Sequence, residues 1–228
     1  MFTVADRAAE ELIVRRIVEA RPVDGIVSEE GTSRDGGPVR WIVDLLDGSA
    51  NYLRGIPHFS VSIAAEIDGV TVAAAVFNPV VGEMFHAVLK SGAMLNGVAI
   101  RPSDERRLSH ALVATGFGDS GAGDSAMQRQ TLRLQAILPV VADLRRTGSA
   151  ALDICWVACG RLDAYYEAGQ YPWDVAAADL IAREAGGLGG TLDGSALTID
   201  RTWVAANPHL FSAFRDLISS AAPDPSAS

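Results

Sequence analysis

The segment WIVDLLDGSANYLRG, residues 41–55, constrains this chain more than any other. Its opening run, WIVDLL, is almost continuously apolar, the pattern of a strand covered on both faces of a sheet. That strand carries Asp44 and ends at Asp47, and Gly48 and Ser49 follow at once. Crowding or burying two carboxylates is costly unless something positive compensates. No lysine stands beside them, and Arg54 lies beyond the turn, so a cation from solution is the candidate.

Around this strand the periodicity alternates. Residues 4–20 have helical spacing, with a turn at Pro22–Gly25 and a short strand at Gly25–Ser28. FSVSIAAEIDGVTVAAAVFNP and GEMFHAVLK read as meandering strands that turn at Asp68-Gly69 and around Pro79 to Gly82. A strand at Ala111–Thr115 then leads through the glycine-rich GFGDSGAGD loop into a helix over 124–138, ended by Pro139. A short strand over Asp143–Arg146 precedes Ser149, a fair N-cap for a helix running to about Gly160. RLDAYYEAG is strand-like, WDVAAADLIAREAGG is a helix closed by glycines, and TWVAANPHLFSAFRDLISS is a strand and then a helix. The expected fold is α/β (α+β), a layered sandwich in two lobes, residues 1–110 and 111–220, with 221–228 as a flexible tail.

Composition narrows the functional class. A net charge of −9 and a pI near 4.9 leave no basic stripe to neutralise phosphates, which excludes nucleic acid as the partner and favours metal cations. No apolar run reaches the roughly 18–20 residues that span a bilayer. The N-terminus MFTVADRAAEE is acidic where a secretion signal is basic and then apolar, so no membrane partner and a cytoplasmic location are expected. Cys155 and Cys159, four apart in a helical segment without nearby histidine, read as small buried residues.

Four separated places carry candidate chemistry. Glu29 and Glu30 close the short strand at Ser28 and, by themselves, make a solvated acidic turn. Asp44 and Asp47, with the Leu46 carbonyl between them, can converge on hard cations. Gly48 permits an unusual turn, and the N–H groups of Gly48 and Ser49 at the start of a short helix can hold an anion such as phosphate. Acids that bind metal, followed at once by amides that bind phosphate, describe phosphoryl chemistry rather than a structural calcium site. Asp174 is by itself a good N-cap of an alanine-rich helix, and Thr3 with Asp6 fits a capping box on the first one.

WIVDLLDGSANY and WDVAAADLIAREAGG resemble the two signature motifs of the inositol monophosphatase family, and TVAD, SEEG, RRTGSAALDICWVACGRLDAYYEAG and WVAANP fall in the family's order over nearly the whole chain. The resemblance implies an αβαβα sandwich of the sugar-phosphatase fold and a Mg²⁺-dependent, lithium-sensitive phosphatase with two or three ions per site. It makes Glu29, Asp44, Asp47, the Leu46 carbonyl and Asp174 metal ligands, Asp174 closing the site from the second lobe. It gives Gly48 and Ser49 the phosphate, and makes Asp6, Ser49 and Glu29 catalytic around an attacking water.

The same resemblance sets Gly148, Ser149, Ala150, Glu167 and Asp174 against a small phosphorylated polyol, with Glu167 accepting from its hydroxyls. On composition alone Glu167 is a solvated acid at a strand end. The YYE match favours myo-inositol 1-phosphate over histidinol phosphate, fructose 1,6-bisphosphate or a 3′-phosphoadenosine nucleotide. The chain departs from the family in having Leu45 for proline and Ser28 for glycine. It also starts just before TVAD, so the first N-terminal helical segment is expected to be missing. A homodimer is implied. A module that binds metal and phosphate without turnover is the alternative, and the retained ligands and Ser49 hydroxyl weigh against it.

Overall fold

The computed structural model describes residues 4–117, 124–199 and 201–224, with side chains from residue 8 onward. Its elements are α1 (Val4–Ala20), β1 (Gly25–Ser28), β2 (Ser33–Arg34), β3 (Val39–Asp47), α2 (Ser49–Leu53), β4 (Ser60–Ile67), β5 (Val70–Asn78), β6 (Glu83–Val88), β7 (Ala93–Leu95) and β8 (Val98–Ala99) in the first half. The second half holds β9 (Leu112–Thr115), α3 (Asp124–Ile137), β10 (Asp143–Arg145), α4 (Ala150–Ala158), β11 (Ala164–Ala168), α5 (Pro172–Glu184), β12 (Leu188–Thr191), β13 (Thr202–Ala206) and α6 (Phe211–Ala221). The first sheet runs β2-β1-β3-β4-β5-β6-β7-β8, parallel at β1/β3 and otherwise an antiparallel meander. The second runs β10-β9-β11-β13-β12, with β10, β9 and β11 parallel and the other pairs antiparallel.

Strand alternation sorts the second sheet's side chains between two cores. Tyr165, Trp203 and Ala205 face α4, α5 and the first sheet, where they join Ile42, Val76, Phe85 and Leu152. Their neighbours Tyr166, Val204 and Ala206 face the other way, onto Ile137 of α3 and Phe214 and Ile218 of α6. With α1 against the outer side of β3, the layers run α1, first sheet, α4 and α5, second sheet, α3 and α6. This is an αβαβα sandwich. The middle helices fit because they are thin: Ala151 and Ala158 of α4 and Ala177, Ala178 and Ala182 of α5 are buried, several against Ala64, Ala74 and Ala87 of the sheet. Small side chains bring the axes close at crystal-like density, and each fully buried Phe85 or Ile154 adds roughly 1.5–3 kcal/mol.

Residues 221–224, expected in a flexible tail, are instead held. Ala222 is buried, its carbonyl accepts from the Arg133 guanidinium, and Asp224 pairs with Arg133 and accepts from the Thr202 N–H. The tail's composition gave no sign of that ion pair, because Arg133 reaches it from α3, far away in sequence. Thr3 of the proposed capping box and residues 118–123 of the glycine-rich loop lie outside the described residues. Among the described residues no helix is long and apolar enough to cross a membrane. An apolar groove of about 500 Å³, lined by Leu12, Ile13, Ile17, Trp41 and Ile63, lies under α1, away from the acids described next.

Candidate active site

The two acids of β3 share a face because the strand is irregular. Its pairing with β4 passes from Asp44 opposite Ser62 to Asp47 opposite Ser60, three steps on one strand against two on the other. The extra residue is a β-bulge. Side chains three apart on a regular strand point to opposite faces, so without the bulge Asp47 would turn away from Asp44. Leu45 is buried within it, and the Leu46 N–H donates to Asp44 Oδ1 at 3.0 Å.

Gly48 then reverses the chain with φ 96° and ψ 34° and starts α2 without a side-chain cap, at half-buried Ser49. A Cβ on Gly48 would stand 3.1 Å from the carbonyl oxygens of both Gly148 and His58, so the turn lies flat against the turn between β10 and α4. Asn51 of α2 fastens that seam, donating through Nδ2 to the carbonyls of His58 at 2.7 Å and Thr147 at 2.8 Å.

Asp47 crosses the same seam. Its carboxylate accepts from Ser149 Oγ at 2.5 Å, from the Ala151 N–H at 2.9 Å, from the Ala150 N–H at 3.2 Å and from Ser60 Oγ at 3.3 Å. It therefore sits on the N-terminus of α4, where amides and the helix dipole favour a negative charge. Ser149 is the N-cap of α4, as its sequence position predicts, and its oxygen also accepts from the Leu152 N–H. Burial raises the Asp47 pKa to about 6 even though Ser149 and the two amides pull it down.

Four more acids surround this pair. Asp44 is 1% exposed, and burial, followed by the charges of Asp47, Glu29 and Asp174, holds its carboxyl well above the usual range. Glu29 is exposed just past the end of β1, and its charge is among those that raise the Asp44 pKa. Asp174 and Asp153 are each raised to about 8, by burial first, with the charges of Asp47 and Glu167 adding to it. Glu167, 9% exposed, accepts from Tyr165 Oη at 2.6 Å, and its carboxylate lies against the Cα of Gly116, where any side chain would collide with it. Burial overturns the solvated strand-end reading of Glu167.

Asp174 also differs from expectation. It is not the N-cap of α5 but its third residue: the helix starts two positions earlier at Pro172, and Asp174 Oδ2 reaches back to the Tyr171 N–H at 2.6 Å. Proline at the first helical position accounts for the earlier start, because its missing N–H costs nothing there. Asp6 lies in α1, and its side chain is outside the described set. Gly148, Ser149 and Ala150 stand together at the mouth of α4.

The structure thus gathers Asp44, Asp47, Asp174, Glu29 and Glu167 near enough to raise the pKa values of Asp44, Asp47 and Asp174. Yet among the described residues no three His, Cys, Asp or Glu side chains are grouped tightly enough to hold one ion as they stand. The two findings agree once the partners are followed, since Asp47 is held by α4 and Asp174 by the Tyr171 N–H. The charges acting most strongly on Asp44 are all negative, and the donors are hard oxygens, a set that suits a hard divalent cation such as Mg²⁺. Cys155 of α4 is fully buried with its thiol pushed up, so it offers no soft ligand. Sequence reasoning missed Ser60, Asn51, His58 and Asp153; the one visible signal was polar Ser60 and Ser62 alternating on the buried face of β4.

Comparison with known proteins gives a consistent outcome. The profile of the inositol monophosphatase family matches residues 1–221. A protein of Rhizobium meliloti named inositol-1-monophosphatase is 40% identical over 222 residues, covering 96% of this chain and 83% of its own. One of Escherichia coli named Nus factor SuhB is 40% identical over 232 residues, covering 96% and 84%. The solved inositol monophosphatase of Anabaena superposes with a TM-score of 0.86 at 32% identity, covering 96% of this chain and 87% of that one.

Proposed function

The chain belongs to the inositol monophosphatase family, and from that premise we propose that it is a Mg²⁺-dependent phosphatase of small phosphate monoesters, with myo-inositol 1-phosphate as its preferred substrate. The observation that carries the reading is the buried Asp44, ringed by acids with no positive group among its strongest neighbours. Such a cluster is stable as a set of carboxylates only when cations neutralise it.

Glu29, Asp44, Asp47, Asp174 and the Leu46 carbonyl are the residues that would hold two or three Mg²⁺ ions. When bound, these ions lower the pKa of the attacking water and offset the charge of the phosphate and the leaving oxygen. The amides of Gly48 and Ser49, at a helix start without a side-chain cap, are the donors that would hold the phosphate oxygens. Asp6 and the Ser49 hydroxyl accept the proton that the water gives up. Gly148, Ser149 and Ala150 form the floor for the polyol, and Glu167, already holding Tyr165 Oη, accepts from its hydroxyls. We place the protein in the cytoplasm as a homodimer, as the resemblance implies.

The test is phosphate release from myo-inositol 1-phosphate, fructose 1,6-bisphosphate, histidinol phosphate and a 3′-phosphoadenosine nucleotide, with and without Mg²⁺. Mg²⁺-dependent release led by the inositol ester, and lost in Asp47→Asn, is the expected result. Release led by another ester overturns the substrate, and no release from any of them favours a binding module.

A further inference from the structure

Behind the acids, four residues form a circuit between the lobes. Asn51 Nδ2 joins the carbonyls of His58 and Thr147, and Thr147 Oγ1 lies 2.6 Å from both carboxyl oxygens of Asp153. His58 Nε2 lies 3.9 Å from Asp153 Oδ1 and is buried without a hydrogen-bond partner. The imidazole is set edge-on to Trp156, ring centroids 4.8 Å apart, and Asp153 is 1% exposed. A buried nitrogen left unpaired carries a desolvation cost, and here it faces a buried carboxyl group across the one open link of the ring.

We propose that His58 and Asp153, set against each other across the open link of this ring, are positioning residues that hold the first turn of α4 against Gly48, and so keep the Ser149 hydroxyl and the Ala150 and Ala151 amides on Asp47. The proposal rests on the reading of Asp47 as a metal ligand. Asp153 stands in the first turn of α4 and clamps Thr147, one residue before Gly148, whose φ of 95° brings its carbonyl against Gly48. Freed from Asp153, that turn loses its register with β3, and the donors to Asp47 shift with it. His58 is the side chain from the first half of the chain that faces Asp153, 3.9 Å from its Oδ1, and burial lowers the imidazole's pKa while raising that of the carboxyl, so the two meet as neutral groups.

The test measures Mg²⁺ binding to the full chain by calorimetry and, separately, kcat and KM with the best ester, for Asp153→Ala, Asp153→Asn, His58→Phe and the double variant His58→Phe/Asp153→Ala. The expected result is a roughly ten- to hundred-fold weaker Mg²⁺ affinity in Asp153→Ala and His58→Phe, as for loss of groups that orient metal ligands. A lowered kcat with KM near the wild-type value accompanies it. Asp153→Asn, which still accepts from Thr147 and gains an amide N–H toward His58, restores most of both, and the double variant is no worse than Asp153→Ala. Wild-type Mg²⁺ affinity and kcat in both single variants, whatever their Tm, overturn the proposal, as does an Asp153→Asn as damaged as Asp153→Ala. If Asp153→Ala does not fold, Thr147→Val breaks the same clamp and is read in the same way. A wild-type chain that binds Mg²⁺ but releases no phosphate sinks the phosphatase reading, while the binding data still decide this one; a chain that binds none overturns both.

Discussion

Replacing Gly48 by alanine loads the junction on which the site depends. Its φ of 96° lies in the left-handed region, which costs an L-residue ~1–2 kcal/mol. The new Cβ would stand 3.1 Å from the carbonyl oxygens of Gly148 and His58 and 3.2 Å from Phe59 Cβ. The first two are backbone atoms on opposite sides of the seam and cannot rotate away, so overpacking adds ~1–3 kcal/mol. The sum, ~2–5 kcal/mol, lowers Tm by ~4–20 °C at ~2–4 °C per kcal/mol for a chain of this size. Gly31→Ala is the control, because Gly31 has φ 94° but nothing within 4 Å of its added Cβ, and so it carries only the backbone cost of ~1–2 kcal/mol. Calorimetric melting of both variants, with phosphate release at saturating Mg²⁺, should show Gly48→Ala melting below the control and losing most of its turnover as the lobes are pushed apart. A Gly48→Ala protein that melts with the control and turns over like wild type refutes the reasoning.

Three further outcomes follow from the geometry. Asp224→Ala leaves the buried Arg133 guanidinium without its counter-charge and should cost ~3–5 kcal/mol, read from urea unfolding midpoints. Asp153 has a folded-state pKa of about 8 against 3.8 for a free carboxyl, so between those values the native state keeps a proton that the unfolded state has released. Its contribution to stability is present at low pH and is lost at ~1.4 kcal/mol per pH unit as pH rises toward 8. Chelated wild-type protein should therefore unfold at lower urea at pH 8 than at pH 5, with a smaller difference in Asp153→Asn. Adding Mg²⁺ at about one hundred times its Kd should stabilise wild type by ~2.7 kcal/mol, reversibly with chelator, and leave the melting of Asp44→Asn unmoved.

The sequence made the layers legible because the periods switch cleanly: alternation in β4 to β6, helical spacing in α5, and Ser149 placed as a cap. It also brought Asp44 and Asp47 to notice, since two acids breaking an apolar strand are conspicuous. What it hid was non-local. The bulge that puts both acids on one face exists only relative to Ser60 and Ser62 on the neighbouring strand. Three of the donors to Asp47 come from residues about a hundred positions downstream. His58 and Asp153 lack a spacing rule that would join them, and the anchoring of Asp224 depends on Arg133 of α3, 91 positions upstream.

The helices α4 and α5 lie between both sheets and are packed with alanine on each side, which bears on how the molecule comes apart. Neither sheet owns them: stripping away either one exposes an apolar flank that a thin helix cannot cover with its own side chains. The two sheets should therefore melt together, as one cooperative transition. A chain cut between β8 and β9 yields fragments that are soluble only as a reassembled pair, and phosphate release regained on mixing becomes a direct gauge of how tightly the two halves hold each other.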